Sequence, residues 1–160
     1  MAESRTREYS FSKIGEGTLS DEEFVEMYNF TLPAGLRLMN AKMLLAATDR
    51  GEVVLSYELG SSWVNVAGFI GGGYIAQTLD QAATAAATLV SGKAAPSIEF
   101  KVSFLRPVRP GSFVATGTVV RIGRSIAFTE AKVVDEEARI LATATVTSQL
   151  VSPAALTGRR

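Results

Sequence analysis

The sequence contains no cysteine and no histidine, and it carries no excess of charge of either sign. Its 160 residues include 16 Lys and Arg against 16 Asp and Glu. Without cysteine the chain forms no disulfide, zinc–thiolate site, iron–sulfur cluster or thiol nucleophile. Without histidine it lacks the commonest general base and metal ligand, which excludes Ser-His-Asp and Cys-His chemistry within the chain. Chemistry here therefore rests on carboxylates, amides, hydroxyls, Lys, Arg and backbone dipoles.

The balanced charge also argues against nucleic acid and against an anionic membrane as the main partner, because binding phosphates requires a basic excess. The first 17 residues are polar and have no apolar signal-peptide core. The apolar stretch around residues 64–75 is too short and too rich in glycine to span a bilayer. We therefore expect no targeting segment, no metal, and a cytoplasmic location.

The chain divides into a flexible arm, one domain and a short tail. Residues 1–18 have mixed charge and little periodicity, residues 19–152 carry the regular patterns, and residues 153–160 are expected to fray. Ser20 and Glu23 form a capping-box signature for a helix whose apolar face consists of Phe24, Met27, Tyr28 and Phe30. The stretch from Thr31 to Gly35 is expected to end this helix.

The pattern after this helix is typical of β structure, interrupted once. Two apolar runs, Leu36 to Thr48 and Glu52 to Leu59, flank a hairpin signal at Asp49-Arg50-Gly51. A long helix rich in alanine follows Gly71-Gly72-Gly73 and ends at Ser91-Gly92, and its small side chains suit close wrapping by a curved sheet. Four more strands, joined by hairpins, complete an antiparallel sheet. The order predicts an α+β fold in which helix packs on sheet.

Asp80 is the only charged residue between Glu58 and Lys93. Because burial of an unpaired carboxylate is costly, it is expected at an exposed edge, at an interface pocket or in a functional site. The glycine run is either a loop that needs close packing or a helix start whose free N–H groups bind an oxyanion at Gly72. Gly72 and Asp80 are eight positions apart, which corresponds to a rise of ~12 Å along a helix. One carbonyl therefore reaches both Gly72 and Asp80 only if they come from two chains, which predicts a homodimer with two composite sites.

The run Asn65-Val66-Ala67-Gly68-Phe69-Ile70-Gly71-Gly72-Gly73, followed by Leu79-Asp80, resembles the signature of hotdog-fold acyl-CoA thioesterases of the phenylacetyl-CoA thioesterase-like group. The strand from Ser97 to Pro107 and the stretch from Gly123 to Phe128 are also similar to that group. The resemblance covers about residues 36–150. It implies a hotdog fold, in which an antiparallel sheet wraps around a long central helix. One position departs from the pattern: Gly71 lies where the family usually has histidine.

The resemblance also implies roles for individual residues. Gly72 would polarise the thioester carbonyl through its N–H, and Asp80 of the partner subunit would activate water or attack directly. Asn65 would hold the water or orient the loop, and Thr84 and Ser97 would support the carboxylate or the water. Gly71 and Gly73 would contact the substrate, and the acyl pocket would be lined by residues such as Phe69, Ile70, Tyr74 and Leu79. Arg124, in a hairpin with Ser125, would bind the coenzyme A end. Coenzyme A would enter as part of the substrate, with no separate cofactor.

Three functions fit the sequence. The first is hydrolysis of an acyl-CoA thioester to the free acid and the thiol by a homodimer or a dimer of dimers (homotetramer). The second is a noncatalytic acyl-CoA or fatty-acyl binding protein of the same fold, suggested by the glycine at position 71. The third, a purely structural oligomer, gives no reason for the isolated Asp80.

Overall fold

The computed structural model of the protein describes residues 19–152. The predicted arm at residues 1–18 and the predicted tail at residues 153–160 lie outside the described residues. Within residues 19–152, no helix is long and apolar enough to cross a membrane.

Three α-helices, six strands and two short 3₁₀ helices (Thr48–Arg50 and Ser61–Trp63) make up the described fold. The helices are α1 (Asp21–Phe30), α2 (Ala34–Leu38) and α3 (Gly72–Ser91). The strands are β1 (Lys42–Ala47), β2 (Glu52–Leu59), β3 (Ser97–Phe104), β4 (Gly111–Ile122), β5 (Ile126–Val134) and β6 (Ile140–Gln149). The predicted order of elements is confirmed, with α2 as an element that the sequence did not indicate.

All six strands form one antiparallel sheet in the order β1-β2-β4-β5-β6-β3. The prediction that hairpins join all four late strands is wrong at one place. The segment after β3 crosses over, so that β3 pairs with β6 and not with β4. In the described part of the chain β3 is therefore an edge strand, and its outer row of backbone groups has no partner strand.

The long helix packs unusually close to the middle of the sheet. A Cβ added to Gly117 of β4 would lie 2.1 Å from the carbonyl oxygen of Ala82 in α3. The helix presents alanines to the sheet, and Ala82, Ala83 and Ala86 are fully buried. The predicted reason for the small side chains, close wrapping by the sheet, is therefore confirmed. Gly92 ends the helix with a left-handed backbone (φ 62°), as glycine does at helix ends.

The first helix begins as predicted. The Ser20 hydroxyl accepts from the N–H of Glu23, and the Glu23 carboxylate accepts from the N–H of Ser20. Its predicted apolar face is wrong at Phe30, which is 77% exposed, whereas Asn29 beside it points to the sheet and binds the main chain of Met43 in β1. The first apolar run is also not one strand: Leu36 lies in α2, and β1 begins only at Lys42.

Candidate active site at the central helix

Asn65 organises the loop that leads into α3. Its side-chain oxygen accepts from the N–H groups of Ala67 (2.9 Å) and Phe69 (3.3 Å). Its own N–H donates to the Phe69 carbonyl at 2.7 Å, and Gly68 closes the turn with φ 79°. Only glycine adopts that backbone readily. The Asn65 side chain thus forms an Asx-type turn that orders the loop before α3.

Two further hydrogen bonds fix the chain just before the helix. The N–H of Ile70 donates to the Val108 carbonyl at 2.8 Å, and the N–H of Gly71 donates to the Trp63 carbonyl at 3.0 Å. Ile70 is buried, whereas Phe69 is partly exposed and lies beneath the Arg109 guanidinium, 5.6 Å from its ring centre. The expected acyl contacts therefore divide into a core side chain, Ile70, and an accessible ring, Phe69.

The helix start presents two N–H groups. Gly71 is the N-terminal cap, and its carbonyl accepts from Tyr74 and Ile75. Within residues 19–152 nothing accepts a hydrogen bond from the N–H of Gly72 or Gly73, and both residues are exposed. The helix dipole adds a partial positive charge at this point. The arrangement can bind a carbonyl oxygen or an oxyanion.

The carboxylate of Asp80 lies partly buried in the middle of α3. The Ser97 hydroxyl donates to its Oδ1 at 2.5 Å from the first residue of β3. No ion pair reaches Asp80 within residues 19–152, and Oδ2 accepts no hydrogen bond there. The structure thus brings Asp80 and Ser97 together, and it leaves one carboxylate oxygen available to a water molecule.

Thr84 lies one turn after Asp80, but its hydroxyl does not bind the carboxylate. It donates instead to the main-chain carbonyl of Asp80 at 2.8 Å. This bond to the residue four positions earlier is the usual way for a threonine to satisfy its hydroxyl within a helix. In one chain Thr84 therefore supports the helix backbone beneath Asp80.

Arg124 and Ser125 lie at the opposite end of the helix from the glycines. The Lys93 Nζ donates to the Arg124 carbonyl at 3.2 Å, and the Ser125 carbonyl accepts from the N–H of Leu150. Lys93 follows the C-terminus of α3, so this hairpin and Gly72 are separated by the length of the helix, ~30 Å. One chain holds the expected site residues in three separate groups: the glycine loop, the Asp80–Ser97 pair and the Arg124 hairpin.

Two hollows of the described chain are not lined by the central residues of these groups, although the second includes Val108 and Arg109, which contact Ile70 and Phe69. One of 520 Å³ lies on the sheet face and is lined by residues such as Lys101, Thr116 and Glu130, and one of 370 Å³ lies between the segments 106–113 and 135–141. Neither is lined by Asp80 or by the glycines. Within residues 19–152 no cluster of three or more His, Cys, Asp or Glu side chains is placed to hold a metal ion.

Sequence reasoning missed Phe104, whose ring lies against Gly72. It is the last residue of β3, 32 positions further along the chain, and no local pattern indicates which residue its ring contacts. Tyr74, expected only as an acyl contact, lies in the same way against Gly71.

Comparison with known proteins shows which family and which folds the chain resembles. The family model of the thioesterase superfamily matches residues 67–142, which include Gly72, Asp80 and Ser97. The structure is similar to that of a phenylacetic acid degradation-related protein from Ralstonia eutropha JMP134, with a TM-score of 0.72 at 21% identity over 79% of this chain and 98% of that one.

Two further solved structures have a similar fold at comparably low sequence identity. The PaaI protein from the phenylacetic acid degradation operon of E. coli has a TM-score of 0.67 at 18% identity, over 79% of this chain and 91% of that one. A Streptococcus mutans UA159 protein bound to acetyl-CoA has a TM-score of 0.64 at 23% identity, over 71% and 90%. No curated protein matches the chain significantly. The predicted hotdog fold and the predicted resemblance to hotdog-fold thioesterases are confirmed.

Proposed function

We propose that the protein hydrolyses an acyl-CoA thioester to the free acid and coenzyme A at a site shared by two subunits. The observation that carries the proposal is the Asp80 carboxylate, which is held by Ser97 on one oxygen and free on the other within residues 19–152. Support comes from the match to the thioesterase superfamily and from the unengaged N–H groups at the start of the same helix.

The proposed reaction uses these groups in turn. The thioester oxygen accepts from the Gly72 N–H, which stabilises the negative charge that develops on it. Asp80 takes a proton from water while the water oxygen bonds to the carbonyl carbon. The C–S bond then breaks, the thiolate leaves and is protonated, and the acid is released. In the alternative route the Asp80 carboxylate attacks the carbonyl carbon, the C–S bond breaks as the coenzyme A thiolate leaves, and water then hydrolyses the resulting mixed anhydride to the acid and free Asp80.

The site requires two chains because of distance. Gly72 and Asp80 are ~12 Å apart along one helix, beyond the reach of one carbonyl group. Two antiparallel copies of α3 around a twofold axis would place Gly72 of one chain near Asp80 of the other. The helix face that carries Asp80 also carries Gly73, Ala76 and Thr84, whose small side chains allow close approach.

The unpartnered edge strand supports the same assembly. On β3, Ile98 is 61% exposed and Phe104 is 55% exposed. Exposed apolar side chains on a strand edge are typical of a surface that another chain covers. A second copy of this chain is the proposed occupant. Arg124 and Ser125 would then bind the phosphates of coenzyme A, in line with the neighbour that holds acetyl-CoA.

The direct test is Asp80→Asn assayed against a panel of acyl-CoAs with a thiol reagent. Asparagine keeps the shape and still accepts from Ser97, but it does not take a proton. We expect kcat to fall at least ~100-fold, the usual contribution of a general base. Asp49→Asn, a change at an exposed carboxylate in the β1–β2 turn, is the matched control. Equal rates for wild type and Asp80→Asn would refute the role of Asp80.

Gly72→Pro tests the N–H donor with little other change. The backbone of Gly71 (φ −59°, ψ 135°) is the conformation preferred before proline, and proline is well tolerated at the first helical position. Gly72→Ala adds a similar Cβ, 3.2 Å from the Phe104 ring, but keeps the N–H. We expect Gly72→Pro to lose ~100-fold more kcat than Gly72→Ala. Equal losses would remove the N–H from the mechanism.

Mixing the two inactive variants tests the shared site. Dimers that combine an Asp80→Asn chain with a Gly72→Pro chain contain one site with both groups intact. Random pairing then restores about a quarter of wild-type activity. If each chain holds its own complete site, mixing restores nothing. Saturable acyl-CoA binding without turnover by the wild-type protein would instead favour the noncatalytic binding protein.

A further inference from the structure

Two half-exposed aromatic rings lie against the two glycines that start α3. A Cβ added to Gly71 would lie 3.2 Å and 3.3 Å from two ring carbons of Tyr74, and a Cβ added to Gly72 would lie 3.2 Å from Cζ of Phe104. Tyr74 is 43% exposed and Phe104 is 55% exposed. Large apolar rings that remain exposed beside two unengaged N–H groups call for an explanation.

The two rings come from different elements and are held differently. Tyr74 belongs to the first turn of α3, and its ring packs edge-on against Trp63 with 4.8 Å between ring centres. The main-chain carbonyl of Trp63 also accepts from the N–H of Gly71, so the residue against which Tyr74 packs is itself bound to the glycine loop. Phe104 ends β3 and is followed by the crossover to β4. The two glycines that start α3 are therefore flanked by a ring from the helix, against Gly71, and a ring from the sheet, against Gly72.

We propose that Tyr74 and Phe104 determine specificity by forming the walls of the subsite for the acyl carbon next to the carbonyl. The inference rests on the proposed function. Each ring lies so near its glycine that a single added carbon would be in tight contact with it, so a substituent on the acyl carbon held beside these glycines has little room. The preferred substrate class is acyl-CoA thioesters that are unbranched at this carbon, and branching there is excluded by the rings.

The test compares butyryl-CoA with pivaloyl-CoA, whose carbon next to the carbonyl carries three methyl groups where that of butyryl-CoA carries one ethyl group and two hydrogens. For the wild type we expect kcat/KM to favour butyryl-CoA by at least ~100-fold, since one misplaced methyl group is worth roughly 10- to 200-fold. In Tyr74→Ala and in Phe104→Ala this ratio falls at least ~10-fold, and Phe104→Leu gives an intermediate value. Leu44→Ala, which removes an exposed apolar side chain on β1, leaves the ratio unchanged. Ratios within twofold of wild type in both ring variants would overturn the inference.

Trp63 supplies a readout that does not need turnover, because it is the only tryptophan of the chain and contacts Tyr74. A nonhydrolysable butyryl-CoA ketone analogue, with CH₂ in place of sulfur, should change its fluorescence saturably in the wild type. In Tyr74→Ala the change should shrink at least threefold at saturation. If no thioester is hydrolysed but the Trp63 fluorescence change occurs and is smaller in Tyr74→Ala, the proposed hydrolysis is refuted, and the role of the two rings in acyl binding is supported. If thioesters are hydrolysed but the substrate ratio of the ring variants equals that of wild type and Trp63 fluorescence does not respond, the role of the two rings is refuted and the proposed hydrolysis is not.

Discussion

Gly117→Ala is expected to be among the most destabilising single-methyl changes in this protein. The added Cβ would lie 2.1 Å from the Ala82 carbonyl oxygen, 1.3 Å short of the 3.4 Å at which ordinary contact begins. Its other two neighbours are backbone atoms of Ala82 and Ala83, so no side chain can rotate away. Helix and strand must instead separate along the middle of the core. Overpacking usually costs ~1–3 kcal/mol, and we expect the upper end, about 3 kcal/mol.

The assay is denaturant and thermal unfolding of the wild type and the variant. For a chain of this size, a loss of about 3 kcal/mol lowers Tm by roughly 6–12 °C. Gly35→Ala in α2 is the matched control, because nothing lies within 4 Å of the Cβ it adds. Alanine is the better helix former, and a gain of ~0.5–1 kcal/mol is expected there. A folded Gly117→Ala protein with a Tm within 2 °C of wild type, on the scale of about 2–4 °C per kcal/mol, would refute the close-contact argument.

Two further predictions concern stability. Ser20→Ala removes the hydroxyl that caps α1 and should cost ~0.5–2 kcal/mol in urea unfolding, whereas Ser20→Asp should retain most of the stability; equal losses would contradict the capping role. Burial, and secondarily the neighbouring Tyr28, raise the pKa of the Tyr57 hydroxyl well above its usual value of 10. A raised phenol pKa stabilises the fold fully below pH 10 and loses this contribution as pH rises above it, at about 1.4 kcal/mol per pH unit. Tyr57→Phe removes this buried hydroxyl, which has no hydrogen-bond partner in the described residues. Between pH 9 and 11 the variant should therefore lose about 1.4 kcal/mol less unfolding free energy than wild type. Parallel curves of unfolding free energy against pH for the two proteins would contradict this.

The parts of the fold that depend on neighbours in sequence were predictable. The cap at Ser20, the start of α3 at the glycines and its end at Gly92 follow from residues within a few positions of each boundary. The parts that depend on distant packing were not. The pairing of β3 with β6 and the exposure of Phe30 are decided by which segments meet after the chain has folded.

The candidate site shows the same division. The isolation of Asp80 is visible in the sequence, and its spacing from Gly72 already implies two chains. Its contact with Ser97 joins residues 17 positions apart on a helix and a strand, and only the resemblance to a family suggested that pair. Thr84 was expected from the same resemblance to support the carboxylate or the water. In one chain its hydroxyl binds a main-chain carbonyl, because a helical threonine finds that acceptor one turn away without any tertiary contact.

The tight contact between Gly117 and Ala82 and the hydrogen bond between Ser97 and Asp80 both lie between α3 and the sheet. Gly117 on the sheet sets the separation of the sheet from α3 at Ala82, and Asp80 lies two residues earlier on that helix. Ser97, which holds Asp80, lies on the sheet. A shift of the helix that relieves the contact at Gly117 therefore moves the carboxylate relative to its serine. Because a displacement of about 1 Å at reacting groups can cost ~100-fold in rate, the glycine that permits this packing also positions the carboxylate.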